Sequence, residues 1–105
     1  MSAILGPGAR RDIYNVARVI AQDNVSAARR FPRAVAAVAR QIGDFPEIGV
    51  ERPDLASPPY RFAIVPGFPY VAVYDASPRP PVIRRILHGA QDLQDILRTL
   101  PRNNA

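Results

Sequence analysis

Three β-rich stretches, residues 60–65, 70–75 and 81–87, are separated by only four and five residues. A parallel crossover needs a dozen or more residues, so these connections force the three into an antiparallel meander. Tyr60, Phe62 and Ile64 alternate with Arg61, Ala63 and Val65, as in a strand with two unlike faces. Pro66-Gly67-Phe68-Pro69 turns the chain into 70–75, which is rich in β-formers, and residues 76–80 turn it again. The apolar face of such a sheet must be covered by another layer.

The N-terminal part supplies that layer. Ile13, Val16, Ala17 and Ile20 recur at helical spacing over residues 9–23, with Arg11 and Arg18 on the opposite side. Asp23-Asn24 reads as a stop and a new cap, and Ser26 as a second cap candidate. Ala28, Phe31, Val35, Val38, Ala39 and Ile42 then form a second stripe. Arg29, Arg33 and Arg40 take its polar side, and Gly43 is the expected stop. The connection is so short that the helices must form an antiparallel hairpin.

Pro32 falls inside the second stripe and cannot donate to the Ala28 carbonyl. Because the stripe keeps its phase through Pro32, a kinked helix is expected, not one that starts there. Ala3-Ile4-Leu5 before Gly6-Pro7-Gly8 reads as a first strand, and residues 44–59, with four prolines, as an ordered loop. Leu93, Ile96, Leu97 and Leu100 suggest a closing helix, capped near Gln91-Asp92 and ended by Pro101. The expected fold is α+β, a helical hairpin on a small antiparallel sheet in the order β-α-α-β-β-β-α. One domain over residues 1–105 accommodates it.

Composition removes whole classes of chemistry. There is no cysteine and one histidine, which excludes disulfide scaffolds, thiolate metal sites and multi-histidine sites. No metal and no cofactor are expected. No apolar run approaches the roughly 20 residues of a membrane span, and the N-terminus lacks the order of a signal peptide, so a cytoplasmic protein is expected. All fourteen basic residues are arginine, and the net charge is +5. Residues 1–43 carry seven Arg against two Asp, 44–78 two Arg against five acids, and 79–105 five Arg against two Asp. Two basic segments flanking an acidic middle favour an acidic partner.

The only catalytic-looking cluster is Arg84, Arg85 and His88, a set able to hold a phosphate and move a proton in RNA cleavage. Consecutive strand residues point to opposite faces, however, so one arginine is expected to pair with a carboxylate and His88 to close the strand. Gly6-Pro7-Gly8 lacks the length and lysine of a phosphate-binding loop. Asp92 and Asp95 suit a helix N-terminus.

Four segments together resemble the RelE/ParE superfamily of bacterial type II toxins. They are LGPGARRDI (5–13), FPEIG with RPDL (45–55), YRFAIVPGFPYVAVY (60–74) and VIRRILHGAQDL (82–93). Leu5, Ala9, Asp12 and Ile13 match the motif at the first helix of ParE-like toxins. Arg85, Ile86, Leu87, His88 and Gly89 match the end of their last strand. Gln91 departs from the pattern, since many relatives carry arginine there.

The resemblance implies a plasmid-stabilisation type of toxin, neutralised by a cognate acidic, ParD-like antitoxin in a hetero-oligomer. RelE-like members cut mRNA on the ribosome with basic residues. Here the third-strand position of that set falls at Val71 and the later ones around Ala90 and Gln91, and no tyrosine follows Tyr74. ParE-like members poison DNA gyrase and need no such set, so a gyrase inhibitor without catalytic residues is the leading expectation. A RelE-type endoribonuclease using Arg84, Arg85 and His88 is the alternative, and a decayed toxin that only binds antitoxin is a third. An antitoxin's acidic tail is expected in a groove between hairpin and sheet, meeting Ile20, Val25, Arg29, Arg33, Arg61 and Arg84. No sequence-specific DNA binding and no membrane contact are expected.

Overall fold

The structure, a computed structural model, is described for residues 1–89. Its elements run β1 (Ile4–Leu5), α1 (Pro7–Asp23), α2 (Val25–Asp44), β2 (Tyr60–Ile64), β3 (Tyr70–Asp75) and β4 (Val82–His88). The closing helix expected from Gln91 lies outside the described residues, and Asp92 and Asp95 lie there with it.

β2, β3 and β4 form the antiparallel meander that their short connections require. β1 joins its far side, parallel to β4, with Ile4 opposite Val82 and Leu5 opposite Ile83. The sheet order is therefore β1-β4-β3-β2, and the sheet is mixed where a wholly antiparallel one was expected. The hairpin and two strands between β1 and β4 supply the length a parallel crossover needs. Arg85 faces Val73 while Ile83 faces Tyr74, so Arg84 is the extra residue of a β-bulge.

Local chemistry explains the helix ends. Pro7 opens α1, where its missing N–H is one that no helix would use. Asn24 both closes α1, donating its N–H to the Ile20 carbonyl, and caps α2, accepting the Ala27 N–H at 3.0 Å. Ser26 is not a cap; its hydroxyl accepts from Arg30 at 2.8 Å. α2 runs unbroken through Pro32, so the reading in which the helix begins at that residue is excluded. It also passes Gly43, because the Phe45 N–H still finds the Gln41 carbonyl at 2.8 Å.

The hairpin covers one face of the sheet. Phe31, Val35, Val38, Ala39 and Ile42 of α2 are buried with Ala72, Tyr74, Ile83 and Ile86, and Ala9 of α1 joins them. The Phe31 ring meets Phe68 and Tyr70 edge-on at 5.0 and 5.4 Å. Truncating such a residue to alanine costs about 3–5 kcal/mol. Gly8 lets α1 lie this close to β4, since a Cβ there would stand 2.8 Å from the Arg84 carbonyl oxygen. On the opposite face Tyr60, Phe62, Val73 and Leu87 are buried, with Leu55 and Ala56 of the long loop packed on them.

Candidate functional site

The residues that carried the family resemblance meet in space. Asp12 on α1 accepts two bonds from the Arg85 guanidinium, at 2.7 Å from Nε and 3.0 Å from Nη2. Its Oδ2 also accepts the Ile86 N–H at 2.9 Å. β1 pairs with β4 only at Val82 and Ile83, and further along the same strand the aspartate stands in for a strand neighbour. The pair is mostly shielded from water, and the bond to Asp12 holds Arg85 still further above its usual pKa, with burial opposing. The expected carboxylate partner of one strand arginine is thus Asp12, and the arginine is Arg85.

The remaining nuclease candidates stand apart from it. Arg84 is the bulge residue, and its charge acts on Tyr60, which is buried on the sheet face away from the helices. Burial there pushes the Tyr60 hydroxyl up, Asp75 adds to the effect, and Arg84 opposes it. The Arg84 Nε is buried with no hydrogen-bond partner. His88 is paired across the strands with Tyr70, whose ring it meets edge-on at 5.3 Å. Tyr70 in turn packs on Phe31 under the hairpin. Val71, at the position of the absent strand arginine, packs against the Tyr60–Leu87 cluster. Arg85 is engaged by a carboxylate, His88 packs on the Tyr70 ring, and the charge of Arg84 acts on Tyr60.

The family of the ParE toxin of the type II toxin-antitoxin system parDE matches residues 3–93. This chain belongs to the ParE toxin family. No curated protein matches it. As a ParE toxin it has an antitoxin as its partner. No helix among its described residues is long and apolar enough to cross a membrane.

The toxin's hairpin turns a basic surface outward. Arg11 and Arg18 on α1 and Arg29, Arg33 and Arg40 on α2 are all exposed, at helix positions opposite the buried stripes. Apolar side chains interrupt them: Tyr14 lies under the Arg18 guanidinium at 5.7 Å, and Val19 and Val25 are exposed near the interhelix turn. Of the residues expected to meet an antitoxin, Val25, Arg29 and Arg33 share this surface, and Ile20 packs beneath it against the core. Arg61 and Arg84 are not brought to them. Arg61 donates to the carbonyls of Glu47 and Gly49, and Arg84 is the bulge residue of β4, its charge acting on Tyr60.

One arrangement in the toxin gave no sequence signal. The buried Tyr74 hydroxyl accepts the Gly49 N–H at 2.9 Å and donates to the Pro46 carbonyl at 2.7 Å. Burial pushes this hydroxyl up, and the Gly49 bond opposes the shift. A Cβ on Gly49 would fall 2.7 Å from the phenol oxygen, so only glycine fits beneath the ring.

Proposed function

We propose that this toxin acts by binding DNA gyrase, and that an acidic ParD-like antitoxin neutralises it by docking on the hairpin. The observation that favours this over RNA cleavage is the separation of Arg84, Arg85 and His88. Cleavage through the 2′-hydroxyl needs a base, a cation on the phosphate and a proton donor converging on one bond. Here the Asp12 carboxylate occupies Arg85, His88 packs on Tyr70, and Arg84 acts on Tyr60. Loss of one electrostatic group from such a site costs about 10²–10³ in rate. A binding inhibitor needs only a complementary surface, and gyrase and antitoxin would meet it in the cytoplasm.

For the antitoxin, the exposed Val19 and Val25 offer apolar anchors, and Arg29 and Arg33 offer charge for an acidic tail. The test compares purified, antitoxin-free toxin in a gyrase supercoiling assay and on translating ribosomes. Loss of supercoiling with intact mRNA is the expected result. Codon-positioned cleavage that disappears in His88→Ala, with supercoiling unchanged, overturns it. Inactivity in both assays assigns the chain to antitoxin binding alone.

A further inference from the structure

Seven of the toxin's arginines lie on α1 and α2, against three aspartates. Two of those aspartates are already engaged: Asp12 by Arg85 and the Ile86 N–H, and Asp44 by the Met1 ammonium at 3.1 Å. The third, Asp23, is exposed at the interhelix turn. Arg10 donates to the Leu5 carbonyl and Arg30 to the Ser26 hydroxyl. The other five, Arg11, Arg18, Arg29, Arg33 and Arg40, are exposed, and no carboxylate is bound to them among the described residues. Their charge is left uncompensated.

Arg29, Arg33 and Arg40 stand at i, i+4 and i+11, on one side of the helix. They cover about 16 Å of α2 at 1.5 Å of rise per residue. Arg11 and Arg18, at i and i+7, share the outward side of α1 in the same way. Phe31, Val35, Val38 and Ile42 bury the other side of α2 in the core. The row of cations therefore sits on a fixed support, which lowers the entropic cost of binding.

What the row lacks selects its occupant. A docked peptide helix needs apolar anchors every three or four residues, and no large apolar side chain is exposed between Val25 and Phe45. Single-stranded nucleic acid needs aromatic faces on which to stack its bases. Tyr14, the exposed ring of the hairpin, has the Arg18 guanidinium over it at 5.7 Å. A duplex presents only its phosphates to a flat surface, and the planar guanidinium fork matches phosphate oxygens.

We propose that the outward arginines of the hairpin, as far as Arg40, bind the phosphate backbone of duplex DNA without regard to sequence. The choice of DNA rests on the gyrase reading, because DNA is the duplex on which that enzyme works. The toxin then meets gyrase already held on the enzyme's substrate. An acidic tail covering Arg29 and Arg33 removes part of the same surface, so antitoxin and DNA compete.

The test follows the fluorescence anisotropy of a short labelled DNA duplex with full-length, antitoxin-free toxin and no gyrase. Binding should be similar for unrelated sequences, with a Kd of about 1–100 μM at physiological salt. The logarithm of the binding constant should fall with the logarithm of salt at a slope of about −4. Arg29→Gln, Arg33→Gln and Arg40→Gln should each reduce that slope by about one. Arg52→Gln, whose guanidinium is bonded to Asp54 in the loop before β2, should leave it unchanged. A slope unaltered in all three hairpin variants overturns the proposal, as does tighter binding of single-stranded DNA or duplex RNA. A glutamate-rich peptide that binds as tightly at equal charge also overturns it, by making an acidic protein the occupant. No duplex binding beside full inhibition of supercoiling sinks this proposal and leaves the gyrase reading standing. Duplex binding without inhibition does the reverse.

Discussion

Asp12 and Arg85, 73 residues apart in sequence, are joined by a two-bond ion pair that clamps the first helix to the last described strand. Each belongs to one of the two short motifs at opposite ends of the family match. Their pairing ties the two segments together: one supplies a carboxylate, and the other supplies the guanidinium and the Ile86 N–H that it satisfies. The pair commits the Nε and Nη2 groups of Arg85 to Asp12.

Asp12→Ala should therefore destabilise the toxin by about 3 kcal/mol, because it leaves a largely shielded guanidinium and a strand N–H without their acceptor. Arg85→Met should cost a similar amount, and the double variant clearly less than the sum. Urea unfolding of the four proteins measures the coupling. Strictly additive losses would mean that the pair is ornamental.

Tyr74 gives a pH signature. Burial raises its pKa above the ordinary tyrosine value, so the folded state keeps the phenol proton after the unfolded chain has lost it. Its contribution is complete below the unfolded pKa and fades as pH rises through the folded one. Urea midpoints should fall as pH rises past about 10, the ordinary phenol value, and Tyr74→Phe should shrink that fall without removing it, since burial raises Tyr60 too. At neutral pH the same variant should lose about 1–3 kcal/mol through the unpaired Gly49 and Pro46 groups. An alkaline slope unchanged in Tyr74→Phe would contradict this account.

Local pattern made the hairpin and meander legible, because helical spacing and short connections each admit one arrangement. Both stripes and the polar arginines appear where periodicity puts them. Long-range partners were not legible. Nothing near Asp12 marks Arg85 as its mate, and no rule of spacing links Tyr74 to a loop 25 residues earlier. The bulge at Arg84 was hidden for the same reason: one extra residue is defined only by the partner strand it fails to match. The parallel placement of β1 likewise depends on where the whole hairpin packs, and two residues are too few to declare it. The expected antitoxin contacts split for a related reason, since Arg61 turned inward to carbonyls that only the folded loop presents.

Pro32 yields a prediction of opposite sign. It is exposed inside α2 and deprives the Ala28 carbonyl of its helical donor. Pro32→Ala should stabilise the toxin by about 1–3 kcal/mol. The gain corresponds to several degrees in Tm, at about 4–8 °C per kcal/mol for a domain of this size. A lower Tm would mean that Phe31 depends on a bend at Pro32 for its place in the core.

Association with the antitoxin should report the hairpin's charge more than its final affinity does. Arg29 and Arg33 are exposed and have no acidic side chain bound to them among the described residues, so they are available for long-range attraction of an acidic tail. Exposed charges act mainly on the encounter rate and are screened by salt, whereas buried apolar anchors act on dissociation. Arg29→Glu with Arg33→Glu should slow association roughly tenfold or more at low ionic strength and flatten its salt dependence. Val25→Ala should instead speed dissociation and leave association near its original rate. Stopped-flow mixing across a salt series separates the two effects. If charge reversal leaves the association rate and its salt slope unchanged, the antitoxin docks elsewhere, and the outward arginines are a solvated helix face.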